Sequence, residues 1–317
     1  MKKRYLLLIL LVLSSVSVFV GVTELGPGDL WDLNSEQQQV LLISRIPRLI
    51  SIIVAGASLS IAGVIMQQLT GNKFVSPTTA GTMDFARLGI LVAMFLFASS
   101  GTLTKMSVAF LFALGGTFLF MKILDHIRYK DTIFVPLVGL MLGNIISSLA
   151  TFFAYQNDLI QNISSWLIGD FSMIIKGRYE FIYLSIPMLI LAYLFANRFT
   201  IAGMGESFAK NLGLNYRQVV QVGLIIVAFI TASVIIAVGV IPFLGLIVPN
   251  IVSIFRGDHL KKNLPHTALL GAIFLLFCDI LGRIIIFPYE IPINVMVGVI
   301  GSAIFIYLLI RRQKNEA

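Results

Sequence analysis

Ten apolar runs alternate with short polar breaks along this chain, and most of them are long enough to cross a membrane. The first follows Lys2, Lys3 and Arg4 and imitates a secretory signal. No small-x-small cleavage site follows it and many more spans do, so it is expected to stay as a first helix. The further runs cover about 49–69, 79–97, 106–124, 133–155, 181–196, 219–240, 268–286 and 291–310. One more, 242–255, carries Pro249 and Asn250 near its middle and is short for an independent span. Its backbone is expected to be bent and packed inside protein. The pattern predicts an all-α integral membrane protein of about ten transmembrane helices, with 1–317 forming a single transmembrane domain.

The breaks differ in character. Residues 23–44 are polar and bear Glu24, Asp29, Asp32 and Glu36, and 71–77 read as a tight turn. A half-polar segment with Trp166, Gly169 and Asp170 suits a membrane interface. The strongest polar interruption of the second half is 203–218, GMGESFAKNLGLNYRQ. Glu206 and Ser207 favour a helix start, Lys210 lies near its end, and Gly213 suits a left-handed cap. Asn215 then offers an N-cap to a helix beginning near Tyr216. A short capped helix between two spans is either a docking knob or a plain connector.

Composition narrows the class. Of 317 residues, 58% are hydrophobic and 12% charged, which leaves too little polar surface to cover a soluble domain. The net charge of +8 reflects basic residues concentrated in short loops, a topology signal rather than a nucleic-acid footprint. With ten crossings it places both termini, and the 203–218 knob, in the cytoplasm. Cys278 is the single cysteine, so no intrachain disulfide forms. No Walker A pattern, zinc-ligand spacing or Gly-rich dinucleotide loop is present, so neither cofactor nor metal nor catalytic residue is expected.

Several constellations carry possible function. Asn144, Ser148 and Thr151 follow one another at i, i+4 and i+7, with Ser147 beside them and Gly139 and Gly143 on the same run. Small residues let helices approach closely, and a stripe of mild hydrogen-bonding groups serves a packing face or a hydrated passage equally well. Asp84 with Arg87 and Asp279 with Arg283 place ionisable groups inside apolar runs, each acid one turn from a base. Self-paired ion pairs are expected there, which weakens a proton-coupled secondary transporter as an alternative. A membrane-embedded enzyme would need convergent ligands, yet His126, His259 and His266 fall in the expected cytoplasmic loops. Arg45 and Arg48 are expected at the outer surface, and Arg283 is placed to reach it by snorkelling.

Taken together these stretches resemble the permease subunits of iron-siderophore and vitamin B12 ABC importers, the FecCD/BtuC type. Arg45-Ile-Pro-Arg48 is similar to the family's R-x-P-R, and Trp166-Leu-Ile-Gly169 to its W-x-x-G. The run from Ala55 to Gly63, then Gln67 and Asn72 to Pro77, resembles G-A-x-L-x-x-x-G…Q…N-P-L-x-x-P. Ala209-Lys-Asn-Leu-Gly-Leu214 resembles the docking stretch A-x-x-L-G-V. Phe243 to Asn250, then Asp258-His259, Leu264-Pro265, Asp279 and Arg283, resemble F-x-G-L-x-x-P-H…D-H-R…L-P…A-D…R. The match runs in order from about Arg45 to Leu309. Three departures stand out: Lys73 in place of the usual Pro, Asn250 in place of His, and Ser302-Ala303 in place of a small-Pro pair. The stretch GNKFVSPTTAGTMDFARLG is closest to the petrobactin/catecholate-siderophore permease branch.

The resemblance implies a type II ABC importer permease fold in a bacterial cell membrane and a dimer of permeases, homomeric or with a second permease subunit. Cytoplasmic ABC ATPase subunits would dock on one side and an extracytoplasmic siderophore-binding protein on the other, with a ferric siderophore as cargo. Haem or vitamin B12 is the alternative cargo within the family. It assigns Glu206, Ala209, Leu212 and Gly213 to ATPase coupling. It assigns Asn72, Phe74, Asn144, Ser148 and Thr151 to the passage or its gate, and Arg45, Arg48 and Arg283 to docking of the binding protein. The protein itself would not be an enzyme.

Overall fold

The computed structural model describes residues 2–21, 34–126, 134–174 and 179–316. Glu24, Asp29, Asp32, Asp131 and the loop bases Arg128, Lys130, Lys176 and Arg178 lie outside the described residues. Among the described residues thirteen α-helices follow one another: α1 (Lys3–Phe19), α2 (Ser35–Val40), α3 (Ile46–Thr70), α4 (Thr82–Leu96), α5 (Thr102–His126), α6 (Phe134–Gln156), α7 (Ile160–Leu167), α8 (Ser185–Ala202), α9 (Glu206–Asn211), α10 (Tyr216–Val238), α11 (Leu244–Arg256), α12 (Leu260–Ile284) and α13 (Ile293–Glu316). Among the described residues the extended pairing is limited to one isolated bridge between Ile168 and Val240. Six stretches of the described residues are long and apolar enough to span a membrane: Ser35–Thr70, Thr102–Leu124, Phe134–Gln156, Glu180–Ala202, Tyr216–Val238 and Leu260–Ile284. Counted with α1, α4, α11 and α13, they coincide with the ten apolar runs of the sequence.

Helix boundaries outrun hydropathy. The second run is expected to start near residue 49, but the helix begins at Ser35, where the Asn34 backbone N–H donates to Gln37 Oε1 (3.1 Å). α2 enters α3 through one π turn, Leu41–Arg45. Pro47 lacks an N–H for the carbonyl four residues back, and the widened turn accommodates it without ending the helix. α12 likewise starts at Leu260, eight residues before its apolar run, so His266 is a buried helical residue rather than a loop one. Apolar composition marks where lipid begins, whereas backbone hydrogen bonding carries the helix on into water.

α3 and α10 form the centre. α10 is buried almost all round from Ile226 to Val238, the signature of a helix enclosed by others rather than by lipid. α3 packs against α8, α10, α11 and α12, while α6 and α8 lie at the periphery with most of their surface exposed. α11 is helical through Pro249; its residues Leu244 to Pro249 are all buried, so that half is packed inside protein as expected, while Ile254 and Phe255 at its other end are exposed. α3 approaches α11 so closely that a Cβ on Gly63 would collide with the Gly245 carbonyl oxygen. The pairing of Gly139 with the Thr79 carbonyl, and of Gly143 with the Asp84 carboxylate, puts the two glycines of α6 on a packing face.

Candidate functional site

Three groups of residues concern function, and α3 orders them in space. Its 25 residues span about 37 Å at 1.5 Å per residue, more than a ~30 Å hydrocarbon core. Arg45 and Arg48 lie at one end and the Gly71–Ser76 turn at the other.

At the Gly71 end, α8 closes at Ala202 and the chain turns through Gly205 (φ +109°) into α9. Glu206 and Lys210 pair across one turn of α9 at 2.9 Å. The αL residue after α9 is Gly213 (φ +73°), and Asn215 Oδ1 accepts from the Gln218 N–H (3.2 Å) to start α10. Each of these caps is where the sequence predicts it. Ala209 is fully buried and anchors α9 to the body, while Leu212, Phe208 and Met204 stand exposed around it. Phe208 and Met204 are not among the residues the sequence singles out; their signal is an apolar side chain within a polar stretch. A cavity of about 290 Å³ lies beside this helix, lined by Gln68, Gly71, Glu206, Tyr216 and Gln221 among others.

The Gly71–Ser76 turn borders the same end. Asn72 Oδ1 accepts from the Phe74 N–H (2.9 Å), and the Phe74 ring stands edge-on to Phe305 of α13 at 6.1 Å. Lys73 Nζ reaches across to Ser253 Oγ and to both Asp258 oxygens, 3.1 Å each. Ser253 in turn donates to Asp258, and Asn250 Nδ2 donates to the Lys73 carbonyl (2.8 Å). Burial pushes the Asp258 carboxyl up, but the Ser253 hydroxyl and the Lys73 ammonium outweigh it and hold the group below its ordinary value. A second cavity, about 200 Å³, is enclosed by Gln67, Lys73, Gly203, Ser253, Asp258 and Asn263 with their neighbours.

On α6, Asn144, Ser148 and Thr151 are exposed, amid Leu140, Ile145 and Leu149. The hydroxyls are satisfied by their own helix: Ser148 donates to the Asn144 carbonyl (2.8 Å) and Thr151 to that of Ser147 (2.7 Å). α6 rests on the Pro77–Ala80 turn that follows Phe74, which links the stripe to the turn without joining them in one cavity. Asp84 and Arg87 make no direct ion pair; Arg87 donates instead to Ser147 (2.8 Å), and Ser147 also lies beside the Asp84 carboxylate. The expected self-pairing fails here because α6 packs against α4 and interposes its hydroxyl.

The arginines at the other end of α3 are turned inward rather than displayed. Arg45 is buried and donates to the carbonyls of Val18 (2.6 Å) and Val20 (3.0 Å). Arg283, 5% exposed, holds Asp279 (2.6 Å), the Ser17 and Val20 carbonyls (3.0 and 2.8 Å) and Ser17 Oγ (2.6 Å). Arg48 bridges Asp279 and Glu290 at 2.8 Å each. The last carbonyls of α1 have no intrahelical donor and carry the negative helix end, so two guanidinium groups find them there. Burial is what overturns the expected surface position: a guanidinium that snorkelled outward would leave Asp279 and these carbonyls unpaired. The Asp279–Arg283 self-pair is present as expected, whereas Glu290 is a member that no local pattern signals. Among the described residues no group of three or more His, Cys, Asp or Glu is placed to hold a metal ion.

The profile of the FecCD transport family matches residues 6–311. The petrobactin import system permease protein YclN of Bacillus subtilis (strain 168) is 66% identical over 313 residues, 99% of each chain. The ferric-anguibactin transport system permease protein FatD of Vibrio anguillarum (strain ATCC 68554 / 775) is 40% identical over 309 residues, 98% of each. Among solved structures, a metal-chelate type ABC transporter in an inward-facing conformation superposes with a TM-score of 0.87 over 98% of both chains at 24% identity, which establishes the shared fold.

Proposed function

The chain belongs to the FecCD transport family, and from that premise we propose that it is the multi-pass permease subunit of an ABC importer carrying a ferric siderophore of the petrobactin or catecholate type across the bacterial cell membrane. ATP is hydrolysed on separate subunits. The observation that carries this reading is the end-to-end identity with a petrobactin import permease. The geometry supports the assignments within it. α9 is the coupling element: Glu206, Phe208 and Leu212 face the ATPase, Ala209 seats the helix, and Gly213 turns the chain back into α10. That end faces the cytoplasm, with both termini. Asn72 and Phe74 form the gate, and Asn144, Ser148 and Thr151 line the passage against a second permease subunit. Arg45, Arg48 and Arg283 act on docking of the extracytoplasmic binding protein from beneath the surface, by fixing the outer ends of α1, α3 and α12.

Alternating access requires ligands that bind one state better than another. The test is uptake of iron-labelled ferric petrobactin in cells lacking this chain and complemented with it, with haem and vitamin B12 as competing cargoes. Uptake that depends on this chain and on a co-expressed ATPase is expected. Chain-dependent uptake of haem or vitamin B12 in place of the siderophore would overturn the cargo assignment.

A further inference from the structure

Lys73 and Asn250, two positions at which the sequence departs from its family's pattern, meet in space. Asn250 Nδ2 donates to the Lys73 carbonyl (2.8 Å) and to that of Leu246 (2.7 Å), which ties the Gly71–Ser76 turn to the middle of α11. The Lys73 ammonium takes Ser253, one α-helical turn from Asn250, and Asp258 of the α11–α12 loop. The backbone and the side chain of one residue are therefore held by two successive turns of α11 and by the loop after it. Lys73 and Asp258 are 185 residues apart, so this contact spans elements that share no local connection. In the same turn Val75, whose N–H donates to the Asn72 carbonyl (3.4 Å), is buried at 2% exposure, whereas Phe74 is half exposed against Phe305. Lysine suits a bond that opens and closes: a compact ammonium on a flexible stem, without the fixed fork of arginine. Its partner is 63% exposed, so water can replace either member once they separate.

We propose that Lys73 is a positioning residue for transport, a latch that with Asp258, Ser253 and Asn250 holds the Asn72–Phe74 turn closed against α11 and the α11–α12 loop until the cytoplasmic end of the bundle rearranges. The inference rests on the reading of that turn as the gate of an importer. The chain offers its own reporter. Val75→Cys in a Cys278→Ala background places a single thiol at the buried position of the latched turn, to be followed by N-ethylmaleimide labelling of the full-length chain in isolated membranes. Lys73→Met and Asp258→Asn should each raise the labelling rate by roughly three- to fivefold, the opening an ion pair of this exposure resists. Lys73→Arg and the exchanged pair Lys73→Asp with Asp258→Lys should return it towards the parent rate. Labelling unchanged in both single variants, or a rise that the exchange leaves in place, would overturn the latch. Cells carrying the whole transporter supply a second readout. Loss of the latch should change maximal siderophore uptake while the half-saturating cargo concentration holds, and raised labelling with unaltered uptake would reduce the pair to local structure. Failure of the importer reading shows itself separately, as siderophore uptake indifferent to deleting the chain.

Discussion

At Gly213 the backbone has φ +73° and no neighbouring atom lies within 4 Å of where a Cβ would stand, so the demand is conformational and not steric. A branched side chain there costs about 1–2 kcal/mol in the left-handed region, enough to loosen the end of a six-residue helix that is seated by Ala209. Gly213→Val should lower siderophore uptake and co-purification of the ATPase while the amount in the membrane stays level. Gly213→Asn, which tolerates the same φ, should keep most of both. Wild-type coupling in the valine variant would remove α9 from the ATPase contact. This part of the site is legible in the sequence because caps act over three or four residues: Glu206, Lys210, Gly213 and Asn215 each do locally what their chemistry predicts.

At the scale of elements the arginine network joins α1, α3, α12 and the loop bearing Glu290. Asp279 is its hub, with a side chain 2% exposed that takes both Arg48 and Arg283; Glu290, 27% exposed, takes Arg48. Removing one member of a buried ion pair typically costs about 3–5 kcal/mol because the partner is left charged and unpaired. Asp279→Asn should therefore lower the thermal midpoint of the purified full-length chain far more than Glu290→Gln, whose partner keeps a second carboxylate. Equal shifts in the two variants would mean that the network is not organised around Asp279. The sequence points to Arg283 beside Asp279, one turn away, but not to the carbonyls at the end of α1. Those become partners only when α1 lies along α12.

Over the whole molecule, α6 is a helix whose surroundings are incomplete. Its outward face carries Leu140, Met141, Ile145, Leu149 and Phe152 together with the polar stripe. Lipid, a second permease subunit and a water-filled passage would each cover this face differently. In a Cys278→Ala background within the assembled transporter, Asn144→Cys and Ser148→Cys should react with a water-soluble thiol reagent at rates that change with nucleotide state. Leu194→Cys, on the exposed surface of α8, should stay slow in every state. Inert thiols at both α6 positions would make the stripe a packing face. What the sequence by itself determined is the class, the ten apolar runs, the capped α9 and the family resemblance, since hydropathy and capping depend on neighbours within one or two helical turns. The tertiary structure alone decided the distant partners of the charges. Arg48 finds Glu290 across 242 residues and Lys73 finds Asp258 across 185, because a buried or half-buried charge takes the partner that helix packing delivers to it.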